Sequence, residues 1–528
     1  MSYVQRLRGR ARSWSERRLG REVPAAAQPA EPSDPRLGAL AFSGQPPLAP
    51  VAPSAGGIPA AWAGVEDRAT HRHAWFASMA RRGPHGDAEA AVEAQRALLA
   101  WLRQDVPGVG AAWVHPSDIA ERLVHWHEGL SALGPGAPAE LRAAMAGSAA
   151  WHLDHLDRRM PTAAGDGHRA VAHHAGAVVG GLTFPGLPGA RAAWTEGASG
   201  LGLVWPNLVL ADGADRAGSP SFLLRSAWLT AVAHAVARAN GAALPGAALG
   251  HWAQAVWFLS RLDAGLGRLP ALGAVPDAHE NDGYPLSWSL WNLARGWGLG
   301  SGEGIGAGDD PRAIALGLWP VADDPAARAE RTHAPRGSHT ETKASWALSS
   351  FASDGYAVAH TRVRGVPTRL VVHAATHSRG PLATSIPLAV HLDLGDGAVI
   401  WGDTGVEVPG ARRGPATLDL ARVDGKKARV EGRCALGRLS WSRTILLNQQ
   451  RLFVTDQLDG PAEVRVSFAI PGEWHREGQG NEFTLQRGTH SALVQLSPVL
   501  AWHRNGAVFV GSGRVRAAEV FGFTLALR

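Results

Sequence analysis

A chain of 528 residues, 45% hydrophobic and 19% charged, has room for about three or four domains of ordinary size and is too apolar to be disordered as a whole. Its formal net charge of +6 is spread over that length and argues only weakly for an acidic partner, and no zinc finger, RNP-like aromatic motif or sustained basic stripe points to nucleic acid. The single cysteine, Cys434, excludes an intramolecular disulfide framework and any multi-cysteine metal site.

Residues 1–22 set seven arginines, from Arg6 to Arg21, around Val4, Leu7, Trp14 and Leu19. That spacing reads either as a basic amphipathic helix able to touch a surface or as a solvated arm. Arg17-Arg18 is followed by REVPAAAQPAEPSDP rather than an apolar run, so no signal peptide is evident, and the sequence assigns no compartment. Ala25 to Pro59 is rich in Pro, Ala and Gly and reads as a linker, with a boundary near residue 62. No run of about 20 apolar residues occurs, so no transmembrane helix is expected.

From 63 to about 300 the spacing predicts helices over Asp87–Leu102, Pro116–Leu133, Ala139–Arg158, Gly165–Pro185, Arg191–Val204, Phe222–Ala239 and Ala247–Leu262. In the fourth, GDGHRAVAHHAGAVVGGLTFP, Val171, Ala175, Val178, Val179 and Leu182 recur as on an amphipathic helix, and His168 sits in the first turn on the apolar face. A histidine there either meets an anionic substrate near the helix N-terminus or is a hydrogen-bonded core residue. In WVHPSDIAERLVHWHEGL, helical spacing brings Arg122, His125 and Trp126 together. Arg122 suits a carboxylate in a cleft wall, or equally a surface pair with Glu121 or Asp118. The chain holds 21 Trp against 3 Tyr, and flat indole faces serve both core packing and stacking on sugar rings. The glycine-rich GSGEGIGAG at 300–308 lacks the P-loop Lys and a following Ser or Thr and reads as a linker.

After about residue 340 the period changes to two. GYAVAHTRV, TRLVVHAAT, LAVHLDLG, AVIWGD, RVEGRCAL, RLSWSRTILL, RLFVTDQL, EVRVSFAI, EFTLQRG, SALVQLS, AVFVGSG and FGFTLAL are short β-branched segments between turn residues, predicting an antiparallel β-sandwich. Helices followed by strands make this a multidomain α+β chain: residues 1–62 an arm and linker, 63–335 helical, 336–528 the sandwich.

WVHPSDIAERLVHW, GDGHRAVAHHAGAVVGGLTFP, LADGADRAGSPSF, HENDGYPL, FASDGYAVAHTRV, LAVHLDLGDGAVIWGDTG and RLFVTDQLDG, in that order over most of 105–470, resemble the heparinase II/III-like polysaccharide lyases. The resemblance implies an N-terminal (α/α) toroid of helical hairpins, a C-terminal antiparallel β-sandwich, and β-elimination on a uronate-containing acidic polysaccharide. Such chemistry needs a group that neutralises the carboxylate, a base for the C5 proton and an acid for the departing oxygen. Members are often periplasmic or secreted.

Carried across residue by residue, the resemblance keeps the histidine as His168, but Gly167 stands where the family has Asn. Phe222 stands at the tyrosine and has no hydroxyl to move a proton. The family's His-x-His-x-Asp falls on ATSIPLA, leaving His377 upstream as a substitute. Of the zinc ligands some members use, only Asp403 remains, so no metal or other cofactor is expected. His168, His377 and Tyr284 are thus the catalytic candidates, and Arg122, Trp126, His173, Asp212, Arg216 and Phe222 the substrate-binding ones. The alternative is a protein of this fold that binds acidic polysaccharide without cutting it.

Overall fold

The computed structural model describes residues 68–82, 87–105, 107–159 and 167–263, and most of 347–527 apart from 375–387 and short stretches, with a few isolated positions between. The basic arm, the boundaries near 62 and 335, the 300–308 glycine run, Tyr284 and His377 lie outside the described residues.

The described chain forms two compact units. One takes the described part of Met1–Leu208 together with Phe222–Val256; the other takes Val209–Ser221, the segment from Trp257, and the strands through the C-terminus. The helices are α1 Arg68–Arg72, α2 Ala74–Arg82, α3 Ala88–Gln104, α4 Pro116–Leu133, α5 Ala139–Arg158, α6 Gly167–Thr183, α7 Ala190–Leu208, α8 Pro220–Ala239 and α9 Gly246–Asp263. Asp87 caps α3 by accepting from the Ala90 N–H at 3.0 Å, and Pro116 opens α4 where its missing N–H costs nothing. Gly134, at a φ of +56°, ends α4 in a conformation that a side chain would strain.

The helical core is built on Trp75, Phe76, Trp101, Leu123, Trp126 and Leu153. The expectation for α6 needs correction. Fifteen of its seventeen residues are buried, so it is enclosed on every face rather than amphipathic. Its small residues make that possible: a Cβ on Gly176 would lie 2.5 Å from the Ala120 carbonyl oxygen of α4, and one on Gly197 of α7 would lie 2.7 Å from the His174 carbonyl oxygen. Backbones approach closely only because nothing stands between them.

The strands make two eight-stranded antiparallel sheets. The first runs β1 (Ala347–Phe351), β2 (Tyr356–Val363), β3 (Val366–His373), β4 (Ala389–Leu394), β5 (Gly397–Glu407), β10 (Ala462–Ala469), β15 (Val508–Val515), β14 (Ala501–Asn505). The second runs β11 (His475–Glu477), β12 (Glu482–Arg487), β13 (His490–Leu496), β16 (Val520–Leu527), β9 (Arg451–Leu458), β8 (Leu439–Asn448), β7 (Lys427–Leu436), β6 (Arg413–Asp424). Leu370, Val390 and Phe468 of the first share one core with Val430, Ile445 and Phe523 of the second, as expected of a sandwich.

Within that unit two guanidiniums are wholly buried. Arg443 pairs with both oxygens of Asp456, at 2.7 and 2.9 Å. Arg369 donates to Asp393 at 2.7 Å and to the Leu262 and Asp263 carbonyls at 2.6 and 2.9 Å, so a cation closes the C-terminal end of α9. No helix among the described residues is long and apolar enough to cross a membrane.

Candidate functional site

The helical unit brings two of the expected groups, His168 and Phe222, together at the start of α6. His168 lies in the first turn, buried, with its Nδ1 2.9 Å from the Ser226 hydroxyl of α8. The half-buried Phe222 ring lies 5.7 Å from the imidazole, tilted at 40°. Ser226 escaped the sequence reading, although it lies four residues beyond Phe222 on the same helix. With its proton on Nδ1 donated to Ser226, His168 keeps its basic lone pair on Nε2; with the opposite tautomer it accepts from the hydroxyl instead.

Gly167 has a steric reason to lack a side chain. A Cβ there would lie 2.8 Å from Cδ1 of Leu208, itself buried at the end of α7. The space that a side chain at 167 would need is occupied by a leucine methyl.

Arg122 departs from both alternatives drawn for it. It is fully buried, and its donors go to the His71 carbonyl at 2.7 Å, the Ala112 carbonyl at 2.7 Å and His152 Nε2 at 2.8 Å, with the Trp101 ring 4.7 Å away. Burial pulls its pKa down to about 10 against the attraction of Asp105 and Asp118. Its supposed surface partners belong to others: Asp118 accepts from Arg72 at 2.8 Å, and Glu121 pairs with Arg225. Trp126 likewise points into the core, donating from Nε1 to His73 Nδ1 at 2.9 Å.

In the other unit, Asp212 lies in the turn closed by the Val209–Asp215 bridge, and Arg216 is exposed with a contact of 3.4 Å to the Val209 carbonyl. That unit also holds a pair the sequence reading passed over. Tyr356 of β2 stacks on His373 of β3, 4.0 Å between centroids and 17° apart. Burial drives His373 down to about 3 despite the opposing charge of Asp215. The signal available was modest: Tyr356 is one of only three tyrosines in the chain.

His173 sits elsewhere, with His174, on a pocket of about 290 Å³ formed by α5, α6 and α7. Burial lowers His173 to about 3 and His174 to about 4, so both rings are neutral at physiological pH. No group of three or more His, Cys, Asp or Glu able to hold a metal ion occurs among the described residues.

No protein-family profile matches the chain, and no curated protein matches its sequence. Solved structures do resemble it. Heparinase III shares 12% identity over 87% of this chain and 76% of its own, with a TM-score of 0.56. The heparan sulfate lyase HepC from Pedobacter heparinus shares 14% over 99% and 88%, with a TM-score of 0.51. At such identity the likeness speaks for the fold: an N-terminal helical region followed by a C-terminal antiparallel β-sheet domain, as in heparinase III.

Proposed function

We propose that this protein is a polysaccharide lyase-like protein that acts on a uronate-containing acidic polysaccharide, with the helical region closing as an (α/α) toroid and His168 as its central chemical group. The observation that carries the reading is the setting of His168: buried in the first turn of α6, its Nδ1 on Ser226, beside Phe222. The N-terminal turn of a helix presents unpaired N–H groups and positive potential, which suit a carboxylate. An imidazole held by a hydroxyl is equipped to take the C5 proton through its Nε2. The C4–oxygen bond then breaks, the C4–C5 double bond forms, and the departing oxygen takes up a proton from a second group, for which Tyr284 and His377 are the candidates. Arg216 and Asp212 serve substrate binding in this reading.

A second reading, binding without cleavage, is favoured by a specific observation: Leu208 fills the space a side chain at 167 would need, and Phe222 brings no hydroxyl. The two readings separate in one assay. The protein is incubated with alginate, heparan, hyaluronan and bacterial exopolysaccharides while the ultraviolet absorbance of the unsaturated uronate is followed. Product that vanishes in His168→Ala is the outcome expected of the lyase. Binding that is weakened in His168→Ala, with no product from any polymer, decides for the second reading, and neither binding nor product overturns both.

A further inference from the structure

Two edge strands of the sandwich, β11 of one sheet and β14 of the other, carry an arginine on the side that faces the core. Opposed residues of an antiparallel pair share a face, so Arg476 of β11, paired with the buried Leu485 of β12, points inward. On β14, Arg504 lies two positions after Trp502, which packs on the same core. Both guanidiniums reach one end of that core. The Arg476 Cζ lies 4.2 Å from the centroid of the Phe483 ring and 5.4 Å from that of Phe509, and the Arg504 Cζ lies 5.7 Å from Phe509.

No acid offsets this convergence from the same side of β11, β12 or β14. Glu477 and Glu482 alternate to the outer face, where they accept from Gln486 and Gln495 at 2.8 and 2.9 Å. Among the described residues Arg476 has one hydrogen bond, from Nη2 to the Gly480 carbonyl at 3.4 Å, and no ion pair. Burial and the neighbouring charge of Arg504 both lower its pKa. Guarding an edge against pairing accounts for an inward charge on each strand. It does not account for two like charges brought to one ring.

We propose that this open side of the sandwich holds the sulfate or carboxylate groups of an acidic polysaccharide, at a site that does no cutting. The planar forks of two guanidiniums match such oxyanions, and an anion held between them relieves their repulsion. Stacking on the phenyl rings holds Arg476 in place, and the exposed position of Arg504 opens the site to a polymer. The identity of the polymer rests on the proposed function. The site itself lies in the strand-bearing unit, whereas His168 lies in the helical one.

The full chain carrying His168→Ala, which leaves the polymer uncut, is titrated calorimetrically with size-defined oligosaccharides of heparin and of hyaluronan, the second free of sulfate. Arg476→Gln and Arg504→Gln each weaken heparin binding by about fivefold or more. Arg504→Lys weakens it less, since the charge stays and only the fork is lost. Arg422→Gln removes an exposed charge from β6, at the opposite edge of the second sheet, and leaves binding unchanged. A loss for heparin alone identifies sulfate as the bound group, and a loss for both polymers identifies carboxylate. Circular dichroism and melting confirm that each variant is folded, and the exposed Arg504→Gln carries the test if Arg476→Gln does not fold. No binding of either polymer, unchanged binding in folded Arg504→Gln, or an equal loss in Arg422→Gln overturns the proposal. Aggregation of Arg504→Gln with binding unchanged does so too, because the charge then only guards the edge. Unsaturated product is followed separately in the protein with His168 intact. Product together with arginine-independent binding rejects this site alone, and arginine-dependent binding without product rejects cleavage alone.

Discussion

The methyl of Leu208 that stands 2.8 Å from the place of a Cβ on Gly167 decides what the first turn of α6 can hold. Gly167→Asn alone forces Leu208 or the helix start to move, at a cost of about 1–3 kcal/mol as for other overpacked positions. Pairing it with Leu208→Ala removes that clash. Chemical denaturation of the two variants checks this, and a single variant as stable as the parent would show that Leu208 moves aside freely. If the restored amide neutralises a uronate, the double variant also forms unsaturated product faster than Leu208→Ala alone. Residue type misled most at Arg122. An arginine four residues before Trp126 reads as a ligand for carboxylates, yet its hydrogen bonds go to two backbone carbonyls and a histidine that are 51, 10 and 30 positions away. Nothing local marks such partners.

Helices pair through charges as much as through apolar faces. Arg225 of α8 reaches Glu121 of α4, and Arg72 of α1 reaches Asp118 of α4. Both acids are buried, so Arg225→Met takes from Glu121 its nearer cation, leaving Arg72 at 3.9 Å, and costs about 3 kcal/mol, whereas Arg225→Met with Glu121→Gln recovers much of that loss. Urea denaturation measures it; equal stabilities of the single and double variants would mean that the pair carries no coupling. Helix spans were legible: α4 and α5 coincide with the expected Pro116–Leu133 and Ala139–Arg158, because proline starts, glycine stops and apolar period are local signals. Among the strands, twelve of the expected segments became β2–β5, β7–β10, β12, β13, β15 and β16, while β1, β6, β11 and β14 were passed over. Those four are the sheet edges. Edge strands are short or bulged and need only one neighbour: β11 spans three residues, and the pairing of β6 with β7 shifts register twice. Their alternation is therefore weak.

Across the whole molecule, burial holds many histidines neutral. His127, His174 and His234 are lowered to about 4, and His173 and His373 to about 3, from an ordinary value of 6.5, with desolvation the largest cause for each. Folded-state values lie below the unfolded one, so between about pH 6.5 and 3 the unfolded chain binds more protons, and stability drains away as pH falls through that window. It is fully present above about pH 7. The melting temperature is expected to drop steadily from pH 7 to pH 5; a flat profile over that range would contradict the neutral burial of these rings.

Read alone, the sequence determined the succession of helices and then strands, most element limits and the presence of His168 at a helix start, because these depend on residues a few positions apart. Only the tertiary structure decided what surrounds them. It buried α6 on all faces, set Ser226 on His168 and Leu208 over Gly167, turned Arg122 inward and left His173 and His174 on a pocket lined with carboxylates. Each of those outcomes is a contact between distant segments, and long-range packing leaves no period in the chain to read.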